Sequence, residues 1–261
     1  MIRKFDPSQT IFGQTFGPIA RMGLGGVIGK IRSRGLGWFF ASIGRHAHML
    51  QALLLNRRFD KKFGIDTAGR IPWTETGDQA VIAELGHEFI STPVKSFNHM
   101  MAQIGQDWSE HTLVDFGSGK GRVLILAAEL GFKRAIGVEL SPELAATAQR
   151  NIAAYAARQA PKTTLESANV DARDFALPDG PVVLYFYSPF PEALVAEIVE
   201  RARQSLRACP RDMVICYAEE PEYPIPDVFA CDSFKALSVA PIPYDPGAIR
   251  QLHFAAFRAL G

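Results

Sequence analysis

A short apolar segment with an acid near its end leads into a turn of three alternating glycines. The segment is Leu113-Val114-Asp115-Phe116, and the turn is Gly117-Ser118-Gly119-Lys120-Gly121, followed by Arg122. Glycines let a backbone approach a ligand closely, and a helix that starts after such a turn offers free N–H groups. The pattern therefore predicts a small-molecule site between a strand end and a helix start.

Two common nucleotide-binding loops fit this turn poorly. A P-loop needs Ser or Thr after its Gly-Lys pair, whereas Gly119-Lys120 is followed by Gly121. A dinucleotide fold has the spacing GxGxxG rather than GxGxG, and Asp115 would face its pyrophosphate. An acid at this position favours a cationic ligand instead.

Two further acids occupy matching positions later in the chain. Glu139 ends the segment Gly137-Val138-Glu139, and Asp171 follows Asn169-Val170. A carboxylate can accept hydrogen bonds from both hydroxyls of a ribose. As alternatives, Asp115 and Glu139 are strand-end acids that only face water, and Asp171 forms a turn beside Asp174.

These three elements, in this order, resemble the class I, seven-strand S-adenosylmethionine-dependent methyltransferases. The resemblance covers about residues 88–260 and implies S-adenosylmethionine as cofactor. It implies that Asp115 and the glycine turn line the methionine end, Glu139 the ribose and Asp171 the adenine. The full predicted cofactor-binding set is Thr92, Asp115, Gly117, Ser118, Gly119, Gly121, Glu139, Leu140, Asp171 and Ala172. We interpret Lys120 and Arg122 as surface groups in the first turn of the helix.

Two local motifs bear on the methyl acceptor. Tyr187-Ser188-Pro189-Phe190 resembles the Asn/Asp-Pro-Pro-Tyr/Phe motif of enzymes that methylate amino groups of bases, but Ser188 replaces the amide or acid and one proline is missing. The segment Phe89-Ile90-Ser91-Thr92-Pro93, ahead of Asp-Phe-Gly-Ser-Gly-Lys-Gly-Arg, resembles the seven-strand protein-lysine methyltransferases. That resemblance implies that Thr92, together with Phe89, closes over the cofactor.

A lysine acceptor must lose a proton before it can accept a methyl group. With a free pKa near 10.4, deprotonation at pH 7 costs roughly 4 to 5 kcal/mol, and an apolar pocket lowers that cost. The candidate pocket residues are Tyr185, Tyr187, Phe190, Tyr217 and Tyr244, with Glu219 or Glu220 to guide the charged side chain. As catalytic residues we predict Ser188, Phe190, Tyr187 and Glu219.

Strands and helices alternate from residue 112 onward, which predicts an α/β fold. Strands are expected near residues 112–116, 134–139, 163–169, 182–187, 213–218, 234–239 and 249–257, and helices over 122–130, 142–158 and 191–208. Ser141 and Pro142 are typical of a helix start. No helix fits between the last two strands. The prediction is a doubly wound, mostly parallel seven-strand sheet with an antiparallel last strand, plus a basic helical N-terminal extension.

The charge is divided unevenly along the chain. Residues 1–70 hold twelve Lys and Arg against three acids, while residues 71–261 hold 16 bases and 24 acids. We therefore predict an extension over 1–70 and a cofactor-binding domain over 71–261. Eight glycines within 13–37 predict a loop or conditionally ordered segment. Leu36, Phe40, Ile43, Ala47, Leu50 and Leu54 then predict a helix with one apolar stripe, which packs on the domain, on a membrane surface or on a partner helix.

The amino-acid composition excludes several classes of protein. With 48% hydrophobic and 21% charged residues, the chain can bury a large core, which excludes disorder, collagen and a disulfide scaffold. Cys209, Cys216 and Cys231 lack metal spacing and are interpreted as structural thiols in a cytoplasmic protein. The six histidines are scattered, so no metal site is predicted, and the segment 36–55 is too polar to span a membrane.

The sequence favours a methyltransferase that acts on protein lysine. The alternatives are a small-molecule or lipid methyltransferase at a membrane surface, and a cofactor-binding module without catalysis whose basic arm binds a partner. Residues 1–62 are the candidate contact with an anionic membrane, which would make the protein peripheral. A protein acceptor is favoured over nucleic acid.

Overall fold

One sheet of seven strands organises the protein in a computed structural model, which describes residues 11–71, 89–187, 191–221, 223–248 and 252–260. The helices are α1 (Ile11–Phe63), α2 (Val94–Ile104), α3 (Arg122–Glu129), α4 (Pro142–Gln159) and α5 (Glu192–Ala208). The strands of the sheet are β3 (Thr112–Phe116), β4 (Arg134–Glu139), β5 (Thr164–Asn169), β6 (Val182–Tyr187), β7 (Met213–Glu219), β8 (Phe234–Pro241) and β9 (His253–Ala259). A separate two-strand ladder pairs β1 (Arg70–Ile71) with β2 (Phe89–Ile90).

The strand order is β5-β4-β3-β6-β7-β9-β8. The first five of these strands are mutually parallel, and β9 runs antiparallel to both of its neighbours, β7 and β8. This confirms the predicted doubly wound sheet with its antiparallel end. The predicted start of the last strand at residue 249 lies outside the described residues.

Burial explains why the central strands carry nearly continuous apolar runs. Every residue of β3 and of β7 is buried, as parallel strands covered by helices on both faces require. One face of the sheet packs against α5, and the other packs against α2 and α3. Helix α4 begins as predicted, with Pro142 in its first turn and the Ser141 hydroxyl accepting a hydrogen bond from the N–H of Leu144 at 3.4 Å.

The loop predicted over 13–37 is wrong, because this segment is part of α1, which extends from Ile11 to Phe63. Glycine lowers helix propensity by about 1 kcal/mol per residue but does not forbid helical dihedral angles. The backbone leaves helical geometry at Gly35, where φ is +79°. A bend at glycine is a common cause of a kink in a long helix.

The apolar stripe predicted from Leu36 to Leu54 is not the face of α1 that packs on the domain. Leu36 is 63% exposed, and Leu54 is also exposed. The buried face follows a different spacing and consists of Ala52, Leu53, Asn56, Asp60 and Phe63. The end of α1 therefore packs on the domain through polar as well as apolar side chains, which a search for apolar periodicity does not detect.

The three cysteines are free; Cys216 is buried, Cys209 is half-buried and Cys231 is exposed. Within the described ranges, no helix combines the length and the apolar character needed to cross a membrane. The same ranges contain no group of three side chains arranged to hold a metal ion.

Candidate functional site

The glycine turn lies at the carboxyl end of β3, in the middle of the sheet. Since β4 and β6 flank β3, the strand order reverses here, which is where ligands bind in doubly wound folds. The turn is held by backbone bonds from the N–H groups of Gly117 and Ser118 to the carbonyl of Val138, at 2.9 and 3.1 Å. Gly119 and Gly121 have φ of +53° and +81°, values that favour glycine.

Two buried carboxylates adjoin this turn. Asp115 is 4% exposed and Glu139 is 8% exposed. The Glu139 carboxylate accepts hydrogen bonds from the N–H of Gly119 at 2.7 Å and from the N–H of Ser141 at 2.8 Å. Both acids thus lie buried beside the turn, close enough for the charge of Glu139 to act on Asp115.

The pKa of both acids is raised. Burial is the main cause for Asp115, and the charge of Glu139 raises its pKa further. Burial also raises the pKa of Glu139, against the lowering effect of the N–H groups of Ser141 and Gly119. A cationic ligand would relieve the repulsion between the two carboxylates.

The buried Ser118 hydroxyl in the turn has no hydrogen-bond partner among the described residues. The Tyr185 hydroxyl is also buried, and the Thr92 side chain is its hydrogen-bond partner. Tyr185 stands opposite Asp115 in the β3–β6 pairing, and the charge of Asp115 adds to the burial that raises the tyrosine pKa. Because buried polar groups are normally paired, the Ser118 hydroxyl is a candidate contact for a ligand.

The third predicted acid is paired differently. Asp171 accepts hydrogen bonds from the guanidinium of Arg173 at 2.7 and 3.1 Å, and this contact is the main reason its pKa is lowered. Ala172 packs into the core beside α5. Asn169, which the sequence analysis did not assign, donates from its amide to the carbonyls of Glu139 and Leu140, each at 2.9 Å.

The β1–β2 ladder lies over the glycine turn. A Cβ added at Gly119 would come within 2.4 Å of the Phe89 ring, so the ring rests directly on the turn. The N–H of Ser91 donates to the carbonyl of Gly69 at 3.2 Å, and Thr92 is buried just after this bond. Phe89 and Thr92 are therefore positioned beside the turn.

Lys120 and Arg122 are not the surface groups that the sequence analysis proposed. Arg122 is 3% exposed and forms an ion pair with Asp60 of α1 at 3.2 Å. The Lys120 ammonium lies 3.3 Å from the Asp66 carboxylate and 5.8 Å from the centroid of the Phe89 ring. Sequence spacing gave no sign of this burial, because the acids that pair with both bases lie more than fifty positions earlier.

Two of the four predicted catalytic residues, Ser188 and Phe190, lie outside the described residues. Tyr187 is half-buried at the end of β6, and Glu219 is 6% exposed at the end of the adjacent strand β7. The Glu219 carboxylate accepts hydrogen bonds from the Tyr217 hydroxyl at 3.2 Å and from the N–H of Glu220 at 2.9 Å. The carboxyl ends of β6 and β7 thus bring Tyr187 and Glu219 to the same edge of the sheet.

The single aromatic pocket expected from Tyr185, Tyr217 and Tyr244 does not form. Tyr185 packs in the core on one face of the sheet and Tyr217 in the core on the other. Tyr244 is 69% exposed, and its hydroxyl lies 3.1 Å from Nδ1 of His48 on α1. Strand alternation places Tyr185 and Tyr187 on one face, but the register of β7 puts Cys216, not Tyr217, opposite Tyr185.

Comparison with known proteins identifies the domain. Residues 114–211 match the family model described as a methyltransferase domain. Over 50 residues, the chain is 42% identical to the ribosomal protein L11 methyltransferase of Haemophilus ducreyi; this match covers 19% of the chain and 17% of that protein.

Two solved structures align with parts of this chain. A putative methyltransferase from Escherichia coli aligns with a TM-score of 0.49 and 15% identity, over 74% of this chain and 99% of that one. Magnesium protoporphyrin IX methyltransferase from Synechocystis PCC 6803 aligns with a TM-score of 0.45 and 13% identity, over 64% of this chain and 77% of that one.

Replacing Gly119 by alanine tests the contact between the turn and the ladder. We expect Gly119→Ala to lower the free energy of unfolding by more than Gly131→Ala. Both positions have positive φ, which costs about 1 kcal/mol or more for alanine, but nothing lies within 4 Å of a Cβ at Gly131. Urea unfolding of the two variants measures the difference, and equal losses would show that Phe89 does not press on the turn.

The buried acids predict an unusual pH dependence of the free energy of unfolding. The folded pKa of Asp115 lies above its unfolded value near 4. The charged form of Asp115 therefore lowers the free energy of unfolding, fully above the folded pKa and not at all below about pH 4. We therefore expect Asp115→Asn to be more stable than the unsubstituted chain at pH 8, with a smaller gain at pH 5. Each pH unit between the two pKa values contributes about 1.36 kcal/mol.

Asp107 supplies the control for this measurement. A hydrogen bond from the N–H of Ser109 lowers its pKa, so the stability lost in Asp107→Asn should be the same at pH 8 and pH 5, because the loss shrinks only below the unfolded pKa near 4. The comparison uses urea unfolding of the ligand-free chain. A difference for Asp115→Asn that stays constant between pH 5 and pH 8 would contradict the assignment.

Proposed function

Because the chain carries a class I, S-adenosylmethionine-dependent methyltransferase domain, we propose that it transfers a methyl group to the amino group of a lysine in a protein. The observation that carries the cofactor site is the pair of buried acids, Asp115 and Glu139, on either side of the glycine turn. S-adenosylmethionine, when bound, supplies a methyl group already activated by its positively charged sulfur. The protein then has to bind the cofactor and the acceptor, orient them and exclude water from the site.

The cofactor residues have separate roles in this proposal. Asp115 attracts the positive charge of the methionine end, and Ser118 offers a buried hydroxyl without a partner in the described part of the chain. Glu139 is already oriented by the N–H groups of Gly119 and Ser141, so its carboxylate is fixed for the ribose hydroxyls. Thr92, under the β1–β2 ladder, covers the site.

The roles of the other predicted contacts follow their surroundings. Asp171 is held by Arg173, so its carboxylate presents a fixed edge toward the adenine. Leu140 and Ala172 supply apolar contacts at the ends of β4 and β5, and the Asn169 amide keeps the carbonyl of Leu140 in place. Gly117 and Gly121 keep the turn close to the ligand.

The lysine acceptor is supported by the acid at the end of β7. Glu219 is buried beside Tyr217 and close to the strand end that carries Tyr187. A buried carboxylate at the mouth of a site favours a basic side chain over a phosphate-bearing substrate. The curated relative is named for a ribosomal protein, which agrees with a protein acceptor, although the chain spans only 17% of its length.

Transfer of labelled methyl from S-adenosylmethionine into lysate of the source cells tests this proposal. The lysate is separated into protein, nucleic-acid, lipid and small-molecule fractions. We expect label in protein, and we expect Glu219→Gln to lower it at least tenfold because the acceptor loses the carboxylate that guides it. The matched control is Glu110→Gln, an exposed acid that pairs with Lys133 ahead of β3 and should leave transfer unchanged.

The other outcomes decide between the alternatives. Label in the lipid or small-molecule fraction would replace lysine by another acceptor. Label in no fraction, with cofactor binding intact, would favour a binding module. Label in protein that Glu219→Gln leaves unchanged would remove Glu219 from the acceptor site.

A second candidate role is docking on an anionic membrane surface, and the exposed part of α1 supports it. Lys30, Arg32 and Arg34 are accessible there, and so are the apolar side chains of Ile28 and Ile43. The single acid of α1, Asp60, is buried in the domain. Helices that combine accessible bases with apolar side chains bind anionic bilayers through charge and partial insertion.

Sedimentation with vesicles tests this role on the full chain. We expect binding to vesicles of mixed phosphatidylserine and phosphatidylcholine, and we expect the triple variant Lys30→Gln, Arg32→Gln, Arg34→Gln to weaken it at least tenfold. Each base near the surface contributes about 1 kcal/mol. The control, Lys133→Gln, Arg150→Gln, Lys162→Gln, removes the same charge from exposed positions on the domain. Equal loss in both variants would show only an effect of net charge.

A further inference from the structure

We propose that Arg122 is a positioning residue for the cofactor: its guanidinium fixes the distance between the glycine turn and the Thr92 segment by tying both to the end of α1. This inference rests on the proposed function, because it assigns a role beside the same cofactor site. It gives the end of the basic extension a part in cofactor binding.

Arg122 is placed to join three parts of the chain. It follows Gly121 directly and is the first residue of α3. Its Nε donates to the Thr67 hydroxyl at 2.8 Å, and Nη2 donates to the Asp60 carboxylate at 3.2 Å. Nη1 donates to the Asn56 side-chain carbonyl and, at 3.4 Å, to the backbone carbonyl of Thr92. One side chain therefore contacts α1, the segment after α1 and the segment that covers the site.

The segment after α1 is itself held at the turn by a second set of bonds. The Asp60 carboxylate accepts from the N–H groups of Thr67 and Ala68, at 2.8 and 2.6 Å. The Asn151 amide of α4 donates to the carbonyls of Asp66 and Lys120, at 2.8 and 2.9 Å. The carbonyl of Lys120 belongs to the glycine turn, so Asn151 links the segment after α1 to the end of the turn from which α3 begins.

The chemistry of this contact requires arginine. A guanidinium presents five N–H donors in a rigid plane, whereas an ammonium is a compact charge that cannot direct bonds to four separated acceptors. Burial lowers the pKa of Arg122, and the carboxylate of Asp60 opposes that change. The ion pair with Asp60 therefore keeps a buried cation in place, while the remaining donors set the geometry.

The consequence concerns two walls of the cofactor site. The glycine turn forms one wall, and Thr92 lies in the segment that forms the other. Binding sites require their groups within about 0.5 Å of the productive geometry. Arg122 is hydrogen-bonded to the Thr92 carbonyl and directly follows Gly121 in the chain. Loss of its guanidinium should therefore let the two walls move apart even in a folded chain.

Titration of the full chain with S-adenosylhomocysteine by calorimetry tests this role. We expect Arg122→Lys to raise Kd at least tenfold at a temperature where the far-ultraviolet circular dichroism is unchanged. Thr67→Val removes only the acceptor of Nε and should raise Kd about threefold, so it tests the role if Arg122→Lys does not fold. In a double-substitution cycle the two changes should not add, because they affect one network.

The controls separate positioning from stability. Leu206→Ala opens a cavity in the core at the end of α5 and should lower the unfolding temperature while Kd stays within twofold. Arg134→Lys alters an ion pair with Glu166 at the starts of β4 and β5 and should also leave Kd unchanged.

Two results would overturn the inference. If Arg122→Lys and Thr67→Val lower the unfolding temperature but leave Kd within twofold, Arg122 only stabilises the fold. If they raise Kd no more than Leu206→Ala does, the change in affinity is only a consequence of reduced stability. Failure of the unsubstituted chain to bind S-adenosylhomocysteine would instead count against the cofactor site itself, and so against the proposed function on which the inference depends.

Discussion

Two carboxylates, Asp115 and Glu139, are buried at neighbouring strand ends, and the rest of the fold must offset the free-energy cost of burying them. Burial raises the pKa of both, and the charge of Glu139 raises the pKa of Asp115 further. Buried acids are ordinarily neutralised by a nearby base. Here the two bases nearest to Asp115 along the chain, Lys120 and Arg122, are paired with Asp66 and Asp60, so they do not neutralise it.

The acids that form ion pairs with these two bases come from the N-terminal part of the chain. Asp60 binds Arg122, and Asp66 binds Lys120. They are two of the three acids among residues 1–70. Two acids of the basic extension thus act at the glycine turn, while bases such as Arg32, Arg34, Arg57 and Arg58 remain exposed along α1. This division of charge explains how one segment can help to shape a cofactor site and still present a positive surface.

The sequence predicts those parts of the fold and site that depend on local patterns. The alternation of strands and helices, the helix start at Ser141 and Pro142, and the acids that flank the glycine turn can all be recognised within a few residues of each other. The burial of Arg122 cannot, because its partners Asn56 and Asp60 are distant in sequence. The separation of Tyr185 from Tyr217 depends on how β6 and β7 are aligned, and alternation within each strand does not determine that alignment.

The acceptor proposed here needs two opposing electrostatic effects in one place. A carboxylate attracts the lysine cation but also raises its pKa, while methyl transfer requires the neutral amine at a cost of roughly 4 to 5 kcal/mol at pH 7. The surroundings of Glu219 reconcile these demands: the Tyr217 hydroxyl and the N–H of Glu220 already bind its carboxylate. Hydrogen bonds of this kind stabilise the charge of an acid and weaken its hold on an approaching cation. Glu219 is therefore suited to guiding a lysine to the edge of the sheet, and burial beside Tyr217 disfavours the lysine cation relative to the neutral amine.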